Sequence, residues 1–187
     1  MFIRTKKIRK KGKEYRYAYH VENRWQKRKK ASRQRVRGYL GKVILLEKTI
    51  ELPFFRHYSV SDVSSYVKNT SLEHIIRDLA AWELLQHGFE EKEGKLCRND
   101  VVFEPDSLEV YQLNGKRKNP KIVLEMNEGF LCNATLKALL SFKTGRSEEE
   151  TGYKLASLLT EAGIKIPEEL FVEWVTRILG IKPDKED

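Results

Sequence analysis

Cysteine is scarce in this sequence, which holds only Cys97 and Cys132. The two residues lie far apart, and neither belongs to a CxxC pair or stands near a pair of histidines. Disulfide-stapled scaffolds and structural zinc sites need closely spaced sulfur or imidazole ligands, so the sequence excludes both as the basis of the fold. We therefore expect a protein of a reducing, cytoplasmic compartment that holds no metal and no other cofactor.

Long apolar runs are missing as well. The chain nowhere reaches the roughly eighteen consecutive apolar residues that mark a membrane-spanning helix. Residues 1–7 include three cations and no apolar segment, unlike the start of a secretory signal peptide. The sequence therefore predicts neither a membrane partner nor a targeting segment.

Familiar catalytic motifs are absent too. The sequence lacks a nucleophile elbow, a P-loop and a dinucleotide fingerprint, and its four histidines are scattered. His74 and Asp78 share a predicted helix face, which is typical of a surface pair. The acidic clusters at 148–150 and 168–169 fall in first helical turns, where the helix dipole favours carboxylates. We expect no enzymatic activity, and the alternative is a small metal-dependent nuclease that uses two carboxylates.

What the chain has in excess is positive charge at one end. Residues 1–45 contain 17 lysines and arginines against 2 acids, whereas the remaining 142 residues contain 19 against 25. Like charges at this density repel one another and destabilise a compact state unless a polyanion neutralises them. The N-terminal segment is therefore predicted to contact a polyanion.

The basic segment is also patterned as a small sheet. Residues 14–21 alternate strictly, which predicts a strand with a row formed by Tyr15, Tyr17 and Tyr19. Residues 32–43 alternate in the same way and predict its antiparallel partner, with a row formed by Arg33, Arg35, Arg37 and Tyr39. A third, shorter strand is predicted around Phe2, Ile3 and Ile8. The tyrosine row is expected to be the buried face of this basic antiparallel sheet, and base stacking is its alternative role.

The rest of the chain completes a predicted α+β fold. A capping box at Thr70 and Glu73 opens a central helix that ends at Gly88. A β meander is predicted over residues 89–126, with a turn at Asn114 and Gly115. Three amphipathic segments then predict a C-terminal three-helix bundle. The predicted regions are a basic β region at 1–45, a central α+β region at 46–127 and a helical bundle at 128–181.

The basic region carries the candidate binding residues. Lysine and arginine gain affinity for nucleic acid by releasing counterions from phosphates, and an exposed ring can stack on an unpaired base. Arg33, Arg35 and Arg37 would repeat at roughly 7 Å along one face, which suits a clamp on successive phosphates. Trp25 lies in a polar stretch and is the predicted stacking residue. The full predicted set is Lys6, Lys7, Arg9, Lys10, Lys11, Lys13, Arg16, Arg24, Trp25, Lys27, Arg28, Lys29, Lys30, Arg33, Arg35 and Arg37.

Short motifs in the same segment resemble a known element. They are Phe2-Ile3-Arg4, the run 12–17, Val21-Glu22-Asn23, the run 33–36 and the run 39–42. Together they resemble the N-terminal element that opens many insertion-sequence transposases. The remaining 142 residues have no room for the acidic triad and the long α/β fold of a transposase catalytic domain. The resemblance therefore implies nucleic-acid binding without strand transfer.

These patterns favour a nucleic-acid-binding protein whose preferred target is structured RNA, as in a ribosome-associated or other ribonucleoprotein component. A DNA-binding regulator or a transposase-derived protein is the first alternative, because the same charge pattern suits duplex DNA. A protein-interaction module is another, with a protein partner or a second copy held by the C-terminal helices. A composition rich in Lys and Glu and poor in Cys also indicates a thermophilic source.

Overall fold

The structure, a computed structural model, describes residues 2–180 apart from the side chain of Lys29. These residues form two five-stranded sheets and six α-helices, which confirms the predicted α+β class. The strands are β1 (Phe2–Lys10), β2 (Lys13–Gln26), β3 (Ala31–Leu45), β4 (Glu90–Lys92), β5 (Lys95–Arg98), β6 (Val101–Glu104), β7 (Glu109–Asn114), β8 (Arg117–Asn119), β9 (Ile122–Met126) and β10 (Gly129–Leu131). The helices are α1 (Phe54–His57), α2 (Val63–Asn69), α3 (Leu72–Gln86), α4 (Asn133–Leu140), α5 (Glu148–Ala162) and α6 (Glu168–Leu179).

Sheet A is ordered β1-β2-β3-β9-β10 and combines the N-terminal strands with two strands from much later in the chain. β1, β2 and β3 run antiparallel, β3 and β9 run parallel, and β9 and β10 form an antiparallel hairpin. β3 meets β9 where both strands are continuously apolar, at Val43-Ile44 and Val123-Leu124. Such runs are typical of strands that are buried on both faces.

The predicted sheet of three strands is therefore wrong in size, because β9 and β10 extend it to five. Alternation along one strand identifies its two faces, but it does not reveal which distant strand will pair with its edge. Sheet A joins segments on both sides of the predicted boundaries at 45 and 127, and the division into three regions stays a prediction. The last residue of the predicted third region, Ile181, lies outside the described residues.

Two tight turns build the N-terminal hairpins. Lys11 and Gly12 have φ values of 50° and 74°, and left-handed residues at both central positions are characteristic of the type I′ hairpin turn. A 3-10 turn at Lys27–Lys29, closed by Lys30 at φ 43°, joins β2 to β3. The two predicted basic loops are thus short turns that let neighbouring strands pair directly.

Gly41 lets β3 approach the chain that enters β9. Its φ is +151°, and a Cβ at this position would lie 2.2 Å from the carbonyl carbon and oxygen of Lys121. The backbone N–H of Lys42 donates to that same carbonyl oxygen at 3.1 Å. Glycine is required for this contact because any side chain would clash with the neighbouring backbone.

Sheet B is the predicted meander, in the order β4-β5-β6-β7-β8. Its β7–β8 turn consists of Gly115 and Lys116, one residue later than predicted, because Asn114 already pairs with Arg117. The return strand therefore begins before Pro120 and not after it as predicted. The strand that does follow Pro120 is β9, which crosses to sheet A.

Apolar side chains gather on both sides of sheet A at β9. The main core contains the apolar face of α3 together with Ile122 and Leu124. A second, smaller cluster lies on the opposite face of the sheet and contains Ala18, Val43 and Val123. β9 is consequently the best-covered part of the sheet, and the coverage falls off towards β1.

Helix α3 is capped by Ser71 and not by Thr70 as predicted. The Ser71 hydroxyl accepts from a backbone N–H of the first turn at 3.2 Å. Further along, the carboxylate of fully buried Glu83 accepts from the Asn127 side chain at 2.6 Å and from the Lys165 N–H at 3.1 Å. This carboxylate ties α3 to the β9–β10 turn and to the segment before α6.

The three predicted C-terminal helices are present, with one correction. Phe130, the predicted start of the first, lies in β10 because the chain first turns back to pair with β9, and α4 begins only at Asn133. Helix α5 is capped by the Ser147 hydroxyl and ends at Gly163 as predicted. Helix α6 lies against α2, where Arg177 donates to two backbone carbonyls near the end of α2. A self-contained three-helix bundle is therefore not confirmed.

Candidate nucleic-acid interface

The β2–β3 hairpin extends past the start of β1 as a two-stranded ribbon. Phe2 is the first residue of β1 and pairs with Val21. The next pairs, from Glu22 with Arg35 onward, have no third strand beside them among the described residues. We call residues 22–35 the ribbon arm. Nearly all of its described side chains are exposed, so the arm presents its chemistry directly to solvent.

The ribbon arm has two chemically different faces, because directly opposed residues of an antiparallel pair project to the same side. The arginine face holds two such pairs, Arg24 with Arg33 and Glu22 with Arg35. The tryptophan face holds Trp25 with Ser32 and Asn23 with Gln34. One face is therefore cationic, and the other is polar around a single large ring.

Arg24 and Arg33 are directly opposed in the pairing of β2 with β3, so two cationic side chains project from the same face. Like charges at opposed positions destabilise a strand pair. A phosphate group between the two side chains removes that repulsion, since each planar guanidinium can donate two parallel hydrogen bonds to its oxygens. The arginine face is thus chemically suited to a phosphate backbone.

The predicted arginine row does not continue evenly to Arg37. β3 bulges there, because Val36 and Gly38 pair with successive residues of β2 and leave Arg37 without a partner in the ladder. Its Nε instead lies 2.8 Å from the Glu22 carboxylate, and this hydrogen bond holds the pKa of Glu22 below its usual value. The evenly spaced clamp of three arginines is wrong, because a bulge cannot be recognised from alternation alone.

A second group of cations surrounds the β1–β2 turn at the other end of the sheet. Its exposed members are Lys10, Lys11 and Lys13. Lys7 and Arg9 lie close by but face the Glu14 carboxylate, at 3.1 and 3.9 Å. Because exposed ion pairs of this kind are weak, a phosphate can replace the carboxylate at little cost.

Arg16, one of the predicted contact residues, forms an ion pair within the protein. It is partly buried, and its Nη2 donates to Glu125 Oε1 at 2.9 Å while Nη1 lies 2.5 Å from Oε2. This two-pronged ion pair connects β2 to β9 across the sheet. A guanidinium held in this way is not free for phosphate, so its position indicates a structural role.

The remaining predicted residues are on the surface. The side chain of Lys29 lies outside the described part of the structure. Those described as exposed are Lys6, Lys7, Arg9, Lys10, Lys11, Lys13, Arg24, Trp25, Lys27, Arg28, Lys30, Arg33, Arg35 and Arg37. The structure thus separates the predicted set into the ribbon arm, the β1–β2 turn with its flanks, and single residues such as Lys6 and Arg37.

The tyrosine row is not the buried face that its pattern predicts. Tyr15, Tyr17 and Tyr19 are only partly buried, whereas Ala18 on the opposite side is 0% exposed. The bulge at Arg37 also moves Tyr39 away from the arginine row and places it opposite Tyr19. We call these four tyrosines the tyrosine face. Val21, which follows the tyrosines on the same side of β2, is 1% exposed, so the row is fully buried only at that end, whereas the small alanine lies where the rest of the chain packs on the opposite side.

Two lysines of this surface were not among the predicted residues. Lys42 Nζ lies 5.8 Å from the centre of the Tyr15 ring, and Lys121 Nζ lies 5.9 Å from the centre of the Tyr39 ring. Burial of Tyr39, together with neighbouring Tyr17, raises the pKa of its hydroxyl. Lys121 comes from outside the basic segment, and only the pairing of β3 with β9 brings it here. No local sequence signal identifies it.

Other kinds of site find little support in the described residues. Within 2–180, no three His, Cys, Asp or Glu side chains are grouped so that they could hold a metal ion. No helix of that part has the length and apolar character needed to cross a membrane. The expected lack of enzymatic activity, the nuclease alternative and a protein partner on the C-terminal helices all stay predictions.

No protein-family model matches the chain, and comparisons with curated proteins and with solved structures find no match either. The resemblance to the N-terminal element of insertion-sequence transposases therefore stays a prediction. The geometry and charge of sheet A are the basis for a functional conclusion.

Proposed function

We propose that this protein binds nucleic acid through the ribbon arm and that structured RNA is its preferred target. The observation that carries the proposal is the opposed pair Arg24 and Arg33 on an exposed ribbon. Such a pair destabilises the free protein and is relieved by a bound phosphate. A cytoplasmic ribonucleoprotein component is the setting that the sequence favours.

Phosphate contacts supply the affinity in this proposal. The exposed cations of the arm are Arg24, Lys27, Arg28, Lys30, Arg33 and Arg35. Its single acid, Glu22, already has its carboxylate paired with Arg37. Each phosphate that the arm neutralises releases roughly one condensed counterion, so binding should weaken steeply as salt rises.

The tryptophan face supports a preference for RNA. Trp25 is 61% exposed, and on the same face Asn23 offers an amide group, while the amide oxygen of Gln34 accepts from the Arg4 guanidinium. Rings that stack on a base and amides that pair with its edge are the usual means of recognising unpaired nucleotides. Structured RNA offers such nucleotides in its loops and bulges, beside the phosphates that the arginine face would contact.

Duplex DNA is the second candidate, and the shape of the arm favours it. The major groove of B-form DNA, about 12 Å wide, admits a two-stranded β-ribbon. The major groove of an A-form RNA helix is too deep and narrow for side chains to reach the bases. The two targets therefore predict different contacts, with RNA engaging mainly Trp25 and DNA engaging the whole ribbon.

The test measures dissociation constants for an RNA hairpin with an open loop and for a DNA duplex of equal length, each at several salt concentrations. We expect tighter binding of the RNA. Changing Arg24, Arg33 and Arg35 to Glu should weaken binding at least about 100-fold and lower the salt slope by about three. Trp25→Ala should weaken the RNA hairpin more than the DNA duplex, because only the hairpin offers an unpaired base.

The matched control changes three cations to Glu outside sheet A. Lys137, Lys143 and Arg146 are exposed cations around α4 and the loop that follows it. Changing these three to Glu should leave the affinity within about threefold. Equal losses in both triple variants would mean that net charge alone drives binding. Failure of the unmodified protein to bind either nucleic acid at low salt would overturn the proposal.

A further inference from the structure

We propose that the tyrosine face is a second nucleic-acid contact, which binds a short run of unpaired nucleotides by stacking. The inference rests on the proposed function and deepens it, because it adds a single-stranded segment to the target. The surface lies on sheet A outside the ribbon arm, and it comprises Tyr15, Tyr17, Tyr19 and Tyr39 with their neighbouring lysines.

The four rings form a continuous row. The Tyr15 and Tyr17 ring centres are 6.5 Å apart, and their planes are inclined by only 27°. The Tyr39 ring lies between those of Tyr17 and Tyr19, and its centre is 6.2 Å from that of Tyr17 and 5.5 Å from that of Tyr19. Rings at this spacing on an open sheet resemble the platforms on which single strands place successive bases.

Only part of this sheet face is covered by the rest of the protein. Ile122 and Leu124 of β9 project from the same face and enter the main core. The tyrosines of β2 and β3 lie beyond that core, and Tyr39 remains 42% exposed. The opposite face, at Ala18, is fully covered. Solvent therefore reaches a row of aromatic rings that lies beyond the packed part of the sheet.

The cations around the rings identify the occupant. Lys6 Nζ lies 5.4 Å from the centre of the Tyr19 ring, and Lys42 and Lys121 lie at 5.8 and 5.9 Å from Tyr15 and Tyr39. An apolar protein segment would leave three buried ammonium groups without partners, which is unfavourable. A single-stranded nucleic acid supplies flat rings for the tyrosines and phosphates for the lysines.

The tyrosine face and the tryptophan face of the ribbon arm lie on the same side of β2. β2 has no skipped residue between Tyr15 and Trp25, so these odd-numbered positions share one side of the strand. Between the two surfaces Val21 is buried, and the Arg4 guanidinium donates to Gln34. The distance along the strand between Tyr15 and Trp25 is roughly 33 Å. One RNA can therefore place a loop at the arm and its flanking single strand on the tyrosines.

The test uses the full chain and a short single-stranded RNA that carries 2-aminopurine, whose fluorescence falls when it stacks. Changing Tyr17 and Tyr39 together to Leu keeps apolar side chains but removes the rings. We expect this variant to bind the single strand about tenfold more weakly and to lose the fluorescence quenching. Its affinity for a blunt RNA hairpin without flanking nucleotides should stay within about twofold.

Two controls separate stacking from general damage. Tyr153→Leu removes a tyrosine that is 76% exposed on α5 and lies outside the tyrosine face, and it should not change either affinity. Lys121→Glu leaves every ring in place and should weaken the single strand severalfold, which provides a second test if the double tyrosine variant does not fold.

The outcomes distinguish this inference from the proposed function. Hairpin binding that depends on the ribbon arm, with single-strand affinity and quenching unchanged in the tyrosine and Lys121 variants, overturns the inference and leaves the proposed function intact. Tyrosine-dependent binding of the single strand, with no binding of the hairpin, supports the inference and overturns the role of the ribbon arm.

Discussion

Sheet A differs strongly between its β9 side and its β1–β2 side. At β9, the side chains of Val123 and Leu124 are completely buried on opposite faces. At the other side, β1 has no buried residue in its described length, and the ribbon arm is almost entirely exposed. Burial of apolar surface stabilises the first part, whereas backbone pairing and a few ion pairs hold the second. Stability and recognition are therefore expected to depend on different residues of one sheet.

The electrostatics follow the same division. The segment 1–45 carries 17 cations and 2 acids, and both acids are paired with cations of that segment. Excess cations on a weakly buried ribbon lower the stability of the free protein, and a polyanion restores it. Binding should consequently stabilise the protein, while changes in the packed part should affect folding without a direct effect on binding.

The largest effect should come from dividing the molecule at residue 45. A chain of residues 46–187 lacks β3, so β9 loses its parallel partner, including the buried side chain of Val43 and the partly buried side chain of Ile44. We expect it to lose cooperative thermal unfolding, because typical domains are stable by only about 5–15 kcal/mol. In contrast, replacing residues 23–34 by Asn-Gly should keep the melting temperature and abolish binding of the RNA hairpin. A chain of 46–187 that melts like the intact protein would establish residue 45 as a domain boundary.

The next effect concerns Gly41. Gly41→Ala should lower the free energy of unfolding by roughly 2–4 kcal/mol, because its Cβ would meet the Lys121 backbone and its φ is unfavourable for alanine. Gly38→Ala in the same strand is the control, since a Cβ there meets no atom within 4 Å. Urea denaturation of both variants measures the difference. Equal stabilities would show that β3 and the segment before β9 can separate without cost.

A smaller effect should separate two arginines that the sequence pattern treats alike. Arg16→Gln breaks the ion pair with Glu125 and should lower the free energy of unfolding by about 1 kcal/mol, with little change in affinity for RNA. Arg24→Gln should instead weaken RNA binding severalfold and slightly raise the stability of the free protein, because it removes the repulsion between Arg24 and Arg33. Thermal melts of both variants measure the change in stability, and binding titrations measure the change in affinity for RNA. A larger loss of affinity in the Arg16 variant would place that residue in the interface.

The smallest effect is a pH dependence within the helical body. Burial raises the pKa of Asp78, although the Tyr66 hydroxyl donates to its carboxylate at 2.5 Å. The fold thus favours the protonated acid, and this stabilisation is full below the ordinary pKa and is lost as pH rises through the raised one. Asp78→Asn keeps an oxygen that accepts from Tyr66 but cannot ionise.

We therefore expect the Asp78→Asn variant to melt at the same temperature as the unmodified protein at pH 3 and at a higher temperature at pH 7. The control is Asp106→Asn, which changes an exposed acid. A lower melting temperature for the Asp78 variant at pH 7 would mean that the ionised form is the one the fold needs, with nearby His74 as its counter-ion.

Local patterns predicted many of the elements well. The helix that starts after Ser147 and ends at Gly163 follows from its cap residues, because a cap acts only on neighbouring backbone groups. The alternating tyrosines likewise indicated β2, because alternation is also a property of neighbouring residues. Contacts between distant segments were not predictable in this way: the pairing of β3 with β9 and the packing of α6 on α2 depend on which surfaces meet after the chain has folded.

The candidate site divides along the same line. Charge and alternation are local properties, so they were enough to predict a dense group of cations with interleaved aromatic rings on N-terminal strands. Which of these residues are free to bind depends on the folded chain. The fold pairs Arg16 with Glu125, interrupts the arginine row at Arg37, leaves the tyrosines only partly buried and brings Lys121 beside them. Bulges, strand partners and the covered face of a sheet are set by packing across the whole chain, and no single segment encodes them.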